Sequence, residues 1–274
     1  MAFAAARTML RTGWGVLTSH RALVAYPVRS AVTGAVVTGV LFVSIGADVI
    51  DGSSSATPLL LAGACYLLMV IVTTFGNAAL IAQADNVLRG GYPGAARRIP
   101  MGRWPAILLW ALATATVLPV LRLVEHDFRD MRTARGRHPG TAWADVAELA
   151  LPKIVLEGRN PIGALQDSRW TLDRAWGTDV VSSTRLGMVG YTLVLVGVSV
   201  SVLVGAVLGA LAQARLGVPY GTAIGLWLGL AVYITALVFV SAANAVYQAA
   251  LYHYSVDGRT PPAFAADLTR AFQP

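Results

Sequence analysis

Long apolar runs separated by short Arg-rich or Gly/Pro-rich breaks set the pattern of this chain. The first run extends from about Leu23 to Ile50, with Pro27 near its start, where a missing N–H is harmless. Asp48, Asp51 and a Gly-Ser run then make a short turn. The second run, Thr57 to Leu88, has about 32 residues; as a helix at about 1.5 Å per residue it would be about 48 Å long, beyond a hydrocarbon core of about 30 Å. It must tilt or protrude. With entry into lipid at Leu59, Asn77 falls near the far interface, and Gln83, Asp85 and Asn86 stand outside it. A third run, Trp104 to Leu121, is only marginally long enough to span and contains Pro119. The next helix, Thr141 to Leu156, carries Asp145, Glu148, Pro152 and Lys153, which weakens a transmembrane assignment. Two further spans are predicted at about Leu186 to Ala212 and Tyr220 to Tyr254, joined by a turn at Arg215 to Pro219.

Two segments follow a different pattern. Between residues 3 and 18, Phe3, Ala6, Leu10, Trp14 and Leu17 fall close to one helical stripe, with Arg7 and Arg11 at its edge. This is an interfacial helix on the membrane surface, or an amphipathic helix packed on the rest of the protein. A second such helix starts at Asn160 and Pro161, an N-cap and first-position pair, and carries Ile162, Leu165, Leu172 and Trp176. The two share a spacing: Arg7, Leu10, Trp14 and Gly15 match Arg169, Leu172, Trp176 and Gly177. Each copy precedes two long apolar segments. Each pair then closes on an Asn, a Gly and a Pro: Asn77, Gly91, Pro93 and Asn244, Gly258, Pro261.

The expected fold is therefore an all-α polytopic membrane protein, one domain over residues 1–274. It contains two parallel repeats, 1–93 and 157–274, each an interfacial amphipathic helix plus two transmembrane helices. A middle helical pair, 94–156, spans or re-enters. The crossings between the repeats are even in number either way, which relates the halves by an axis along the membrane normal.

Composition supports the class and charge addresses the topology. The chain of 274 residues is 56% hydrophobic and 13% charged, with a mean hydropathy of +0.62, more apolar surface than one soluble core hides. Its 21 basic residues outnumber 14 acidic ones, for a net charge of +7. With a re-entrant middle pair, every basic residue except Arg215 lies on one side, as the positive-inside rule favours; the length of the Trp104 run favours crossing. Both termini are then cytoplasmic in a cell membrane, with Arg forks facing anionic lipid headgroups. The single cysteine, Cys65, excludes a disulfide framework. The first apolar run is longer than a signal h-region and ends without a small-x-small cleavage site.

Candidate chemistry is sparse. Asn77 and Asn244, at equivalent places in the two halves, would face each other across the pseudo-symmetry axis. They either line a ligand path or hydrogen-bond neighbouring helices near the cytoplasmic interface. Asp145 and Glu148 share a helix face and could carry protons or cations if buried, or face cytoplasmic water. Trp14 and Trp176 are expected as interfacial anchors, with ligand stacking as the alternative. Gly197, Ser201, Gly205 and Gly209, and Gly221, Gly225 and Gly229, recur at four-residue spacing and predict close helix packing within the chain or between copies. Glu125, His126, Asp127 and Asp130 are explained by helix-surface pairing, so no metal and no cofactor is expected. No Walker loop, GxGxxG, GxSxG or HExxH stretch occurs, and the Arg clusters sit at membrane flanks, so neither an enzyme nor a nucleic-acid binder is expected.

In Phe75 to Leu80 (FGNAAL) with Gly90, Gly91 and Pro93 after it, in Trp110 and Ala111, in Pro152 to Glu157 and in Ser168 to Gly177, the chain resembles an uncharacterised family of prokaryotic integral membrane proteins, a family of unknown function with about six apolar helices. It departs from that family in a less apolar fourth helix. The resemblance implies a membrane protein and transfers no functional residue. The functional expectation is non-enzymatic binding or transport of a small or lipophilic molecule between the repeats. The alternative is a structural or accessory subunit of a membrane complex or homo-oligomer.

Overall fold

The computed structural model describes residues 2–50, 57–92, 99–117, 143–176, 183–258 and 264, and every regular element among them is helical. The helices are α1 (Ala2–Ser19), α2 (Arg21–Ile50), α3 (Thr57–Leu88), α4 (104–117, entered through a 3₁₀ turn at Met101–Arg103), α5 (Trp143–Pro152), α6 (Pro161–Trp176), α7 (Ser183–Leu216) and α8 (Gly221–Asp257). A π-helical turn, Lys153–Glu157, continues α5. Four of these are long and apolar enough to cross a membrane: α2, α3, α7 and α8. The protein is an all-α polytopic membrane protein.

The long helices agree closely with the apolar runs, because a spanning segment must carry its own unbroken hydrophobic stretch and satisfy its backbone internally. Their side chains are arranged for lipid. Along α2, Val28, Val32, Val36 and Val40 point outward, whereas Ser30, Ala31, Val37 and Thr38 are buried. α7 likewise exposes Val200, Leu203, Val204, Val207, Leu208 and Leu211. In water such stripes would form a large exposed apolar patch; against acyl chains they cost nothing.

Contacts fix the relative directions. Ser30 of α2 faces Gly76 of α3, and Gly34 lies against Met69 of α3 and Ile234 of α8. Further along, the Cys65 thiol points at the Val37 carbonyl oxygen, and Trp227 of α8 lies beside Gly39. α2 is thus antiparallel to both α3 and α8, and α3 and α8 run in the same direction. α7 is antiparallel to α8 and lies on its other side, while α2 contacts both α3 and α8. The two hairpins share direction, yet their outer helices are placed differently.

Helix ends follow the local sequence. Asn160 caps α6 by accepting the Gly163 N–H at 2.6 Å. Gly258 ends α8 in the left-handed conformation with φ of 62°. At the end of α3 the left-handed residue is Gly90, φ 82°, rather than Gly91, the residue aligned with Gly258 by the repeat. A helix needs its achiral residue just past its last turn, and α3 ends at Leu88, two residues before the position aligned with Asp257.

The shorter helices cover one end of the bundle. α5 and its π turn bury Leu149, Ala150, Leu151, Ile154 and Val155 against the core formed with α3 and α8. α1 crosses α8 closely: a Cβ on Gly13 would lie 2.6 Å from the Ala243 carbonyl oxygen, and Leu17 is fully buried. This part of the α1 stripe therefore packs on protein.

Candidate functional site

Between residues 62–77 of α3 and 234–248 of α8 the bundle leaves a space. A cavity of about 720 Å³, partly open to its surroundings, is lined by residues of α2, α3, α4, α5 and α8. From Ala62 to Asn77 on α3 it extends about 22 Å, at about 1.5 Å per residue. Its volume lies within the range of small-molecule sites, about 300–1,000 Å³.

The two ends of the cavity differ chemically. One end is lined by Val37, Leu41, Ala62, Cys65 and Met69, and the other by Thr73, Thr74, Asn77, Ser241, Asn244 and Gln248. Local sequence explains the second set. Positions 73, 74 and 77 share a face of α3, and 241, 244 and 248 share a face of α8, each at three- or four-residue spacing. Since α3 and α8 run in parallel, the two sets adjoin: Asn77 meets Ser241, and Asn244 and Gln248 follow about one and two turns further along α8.

Hydrogen bonding sharpens the contrast. Hydroxyls along the cavity mostly return to nearby backbone: Thr38 donates to Gly34 O at 2.9 Å, Thr73 to Met69 O at 2.7 Å and Thr114 to Ala111 O at 2.7 Å. Tyr66 donates its hydroxyl to Ala115 O of α4 at 3.0 Å. At the polar end, Asn77 Nδ2 donates to Ser241 Oγ at 2.7 Å, tying α3 to α8. Among the described residues, Thr74 Oγ1 and the amides of Asn244 and Gln248 engage no hydrogen-bond partner. No Asp, Glu, Lys, Arg or His lines the cavity among the described residues. Unsatisfied amides in a dry environment cost a few kcal/mol each unless a ligand or water completes them. The described amides can grip an uncharged hydrogen-bonding group.

Beside the polar end lies a belt of ionised groups. His253 Nε2 is 2.8 Å from Asp85 Oδ1, and Arg89 Nε is 3.2 Å from Asp85 Oδ2, joining the ends of α3 and α8. Lys153, buried in the π turn, donates Nζ to Thr171 Oγ1 at 2.8 Å and lies 4.0 Å from Glu157 Oε1. Glu157 also accepts the Tyr252 hydroxyl at 3.0 Å. Arg159 pairs with Asp167 at 3.0 Å. Arg103 donates to the carbonyls of Val155 and Leu156, satisfying backbone oxygens where the turn leaves α-helical geometry. These pairs lock the short helices in place.

The structure places the residues singled out from the sequence as follows. Asn77 and Asn244 line the same cavity, but they do not pair across an axis: Asn77 bonds Ser241, one turn before Asn244. Gly205 and Gly209 sit against Gly221, Gly225 and Gly229, and Ser201 against Gly229, so these small residues form the contact between α7 and α8; Gly197 meets the ring of Tyr233. Trp14 is half-exposed on α1 and meets Phe239 edge-on, with ring centroids 5.8 Å apart. The side chains of Asp145, Glu148 and Trp176 lie outside the described residues, as do Glu125, His126, Asp127 and Asp130. Among the described residues, no cluster of three His, Cys, Asp or Glu side chains could hold a metal ion.

Sequence reading missed Gln248, Thr74 and the buried Lys153. Gln248 stands four residues after Asn244 in an otherwise apolar run, and that spacing was a usable signal. Lys153 carried none, because its burial depends on Thr171 and Glu157 meeting it in space.

Residues 57–262 match the model of a family of unknown function, DUF6159. No curated protein matches the chain, and no solved structure does.

Proposed function

The chain belongs to DUF6159, a family of unknown function, and from its cavity we propose a non-enzymatic membrane protein that binds or moves a small or lipophilic molecule between α3 and α8. The carrying observation is the set of unpartnered amides, Asn244 and Gln248, in a cavity of about 720 Å³ that no charged side chain lines among the described residues. Interfaces between transporter repeats are where such sites form. The shared direction of α3 and α8 supports two parallel repeats, and the burial of α5 supports a middle pair that re-enters. The described Arg21, Arg29, Arg89, Arg103 and Arg159 gather at the end of the bundle opposite Arg215, which supports a cytoplasmic location for that end. Arg21 and Arg29 are exposed there and suit anionic headgroups.

The test is recovery of the bound molecule. Protein purified in mild detergent is extracted and analysed by mass spectrometry beside an Asn244→Leu, Gln248→Leu double variant. A molecule recovered with the native chain and depleted by about tenfold from an equally stable variant is the expected result. Equal recovery from both contradicts the reading. Where the double variant fails to fold, the milder Asn244→Ala chain replaces it in the same comparison, and recovery of no molecule from the native chain returns the protein to the alternative of a structural or accessory subunit.

A further inference from the structure

We propose that the cavity selects an uncharged single-chain amphiphile, its hydroxyl- or amide-bearing head at Asn244 and Gln248 and its chain directed toward Cys65. The inference rests on the proposed binding role and names the ligand class. Three properties of the cavity carry it.

The first is size. At about 30 Å³ for each water-sized group, about 720 Å³ holds about two dozen non-hydrogen atoms. One acyl chain with a small head has about that size, so a two-chain lipid would have to leave one chain outside. The elongated form, with Ala62 and Asn77 at different heights of α3, suits a chain better than a compact ring system.

The second is polarity along the long axis. The available hydrogen-bonding atoms, Thr74 Oγ1, Asn77 Oδ1 and the amides of Asn244 and Gln248, lie at one end. Toward the other end Thr38, Tyr66 and Thr114 are engaged with backbone carbonyls, leaving walls of Val37, Leu41 and Met69. An amide offers both N–H donors and a carbonyl acceptor, so the head must itself both donate and accept. A glycerol or primary amide head does; an ester or ketone only accepts.

The third is charge. The cavity walls hold no ionised side chain among the described residues. The neighbouring Asp85, Arg89, Lys153, Glu157 and Arg159 are paired with one another, with His253 or with Asp167. Among the described residues, a fatty carboxylate or a phosphate would find no counter-ion there to offset its desolvation.

Cys65 provides the reporter. It is the single cysteine of the chain and lines the apolar end, so its alkylation by N-ethylmaleimide reads occupancy of the chain-binding part without any engineered label. The delipidated full-length protein in detergent is treated with monooleoylglycerol, with oleate at pH 9, or with dioleoylphosphatidylcholine. The expected result is an alkylation rate about tenfold lower with monooleoylglycerol than with either other lipid. In the Asn244→Leu, Gln248→Leu variant the rates with and without monooleoylglycerol should converge. Equal protection by oleate overturns the uncharged-head inference and leaves a lipid site in the cavity standing. Protection that persists in the double variant overturns the placement of the head. Absence of protection by all three lipids overturns the inference. If a molecule nevertheless co-purifies with the native chain, the broader binding role survives; if none does, that role fails too.

Discussion

Along α8, the first half meets α7 through Gly221, Gly225 and Gly229, and the second half meets α3 at Ser241 and presents Asn244 and Gln248 to the cavity. The first contact is backbone on backbone: a Cβ built on Gly225 would lie 2.8 Å from the Gly209 Cα, and one on Gly221 would lie 2.6 Å from the Gly209 carbonyl oxygen. Nothing can enter there. The second contact combines small apolar residues, among them Ala78, Ala84, Ala242 and Ala245, with one hydrogen bond between Asn77 and Ser241, and the cavity lies along it. In lipid, where apolar side chains gain little from leaving their solvent, helices associate by close approach and by interhelical hydrogen bonds. One helix uses the first means to seal a hairpin and the second to hold a space open.

The sealed contact is the one most easily broken. Gly225→Ile places a branched side chain against the Gly205 carbonyl and the α7 backbone, and should destabilise the protein by about 3 kcal/mol or more. A collapse of the monodisperse peak on size-exclusion chromatography after mild heating would show it. Ile at this site with an unchanged melting temperature would mean that α7 and α8 separate freely.

Asp85→Ala tests the clasp beside the open contact. His253, 4% exposed, loses the carboxylate 2.8 Å from its Nε2, at a cost of about 2 kcal/mol. The measurement is a lowered thermal midpoint, and Asp85→Asn, which retains an acceptor, should recover part of it.

A paired change on α1 comes next. Gly13 lies on the Ala243 carbonyl, whereas nothing lies within 4 Å of a Cβ on Gly15. Gly15→Ala should raise stability by up to about 1 kcal/mol through helix propensity, and Gly13→Ala should lower it. Thermal midpoints of the two variants measured side by side must move in opposite directions.

The smallest expected effect on stability is at the cavity. Replacing Asn244 and Gln248 together by Leu removes unpartnered amides and fills space, so stability should change by less than about 1 kcal/mol while the bound molecule is lost. A denaturation series on the delipidated variant provides the check.

How legible these features were depended on whether one segment carried the signal. The ends of α3 were readable because about 48 Å of unbroken apolar helix, at about 1.5 Å per residue, has one interpretation. The glycines at four-residue spacing announced close packing, and the structure supplied the partner. Asn77 and Asn244 stood out as amides in apolar runs. Their shared cavity did not, since it depends on the register between α3 and α8, which are far apart in the chain. The same limit hid the Asp85–His253 pair and the burial of Lys153. On α1, the repeat drew attention to Gly15, yet α8 crosses at Gly13, because a repeat records similarity between halves and not which face is covered.

The most direct test of the open contact is a density map of the protein extracted with its native lipid. The account predicts one elongated, unbranched density in the cavity, its polar end within hydrogen-bond distance of the Asn244 and Gln248 amides and its tail beside Cys65. A map in which α3 and α8 close on each other, with those amides bonded to protein and no space between them, would contradict it.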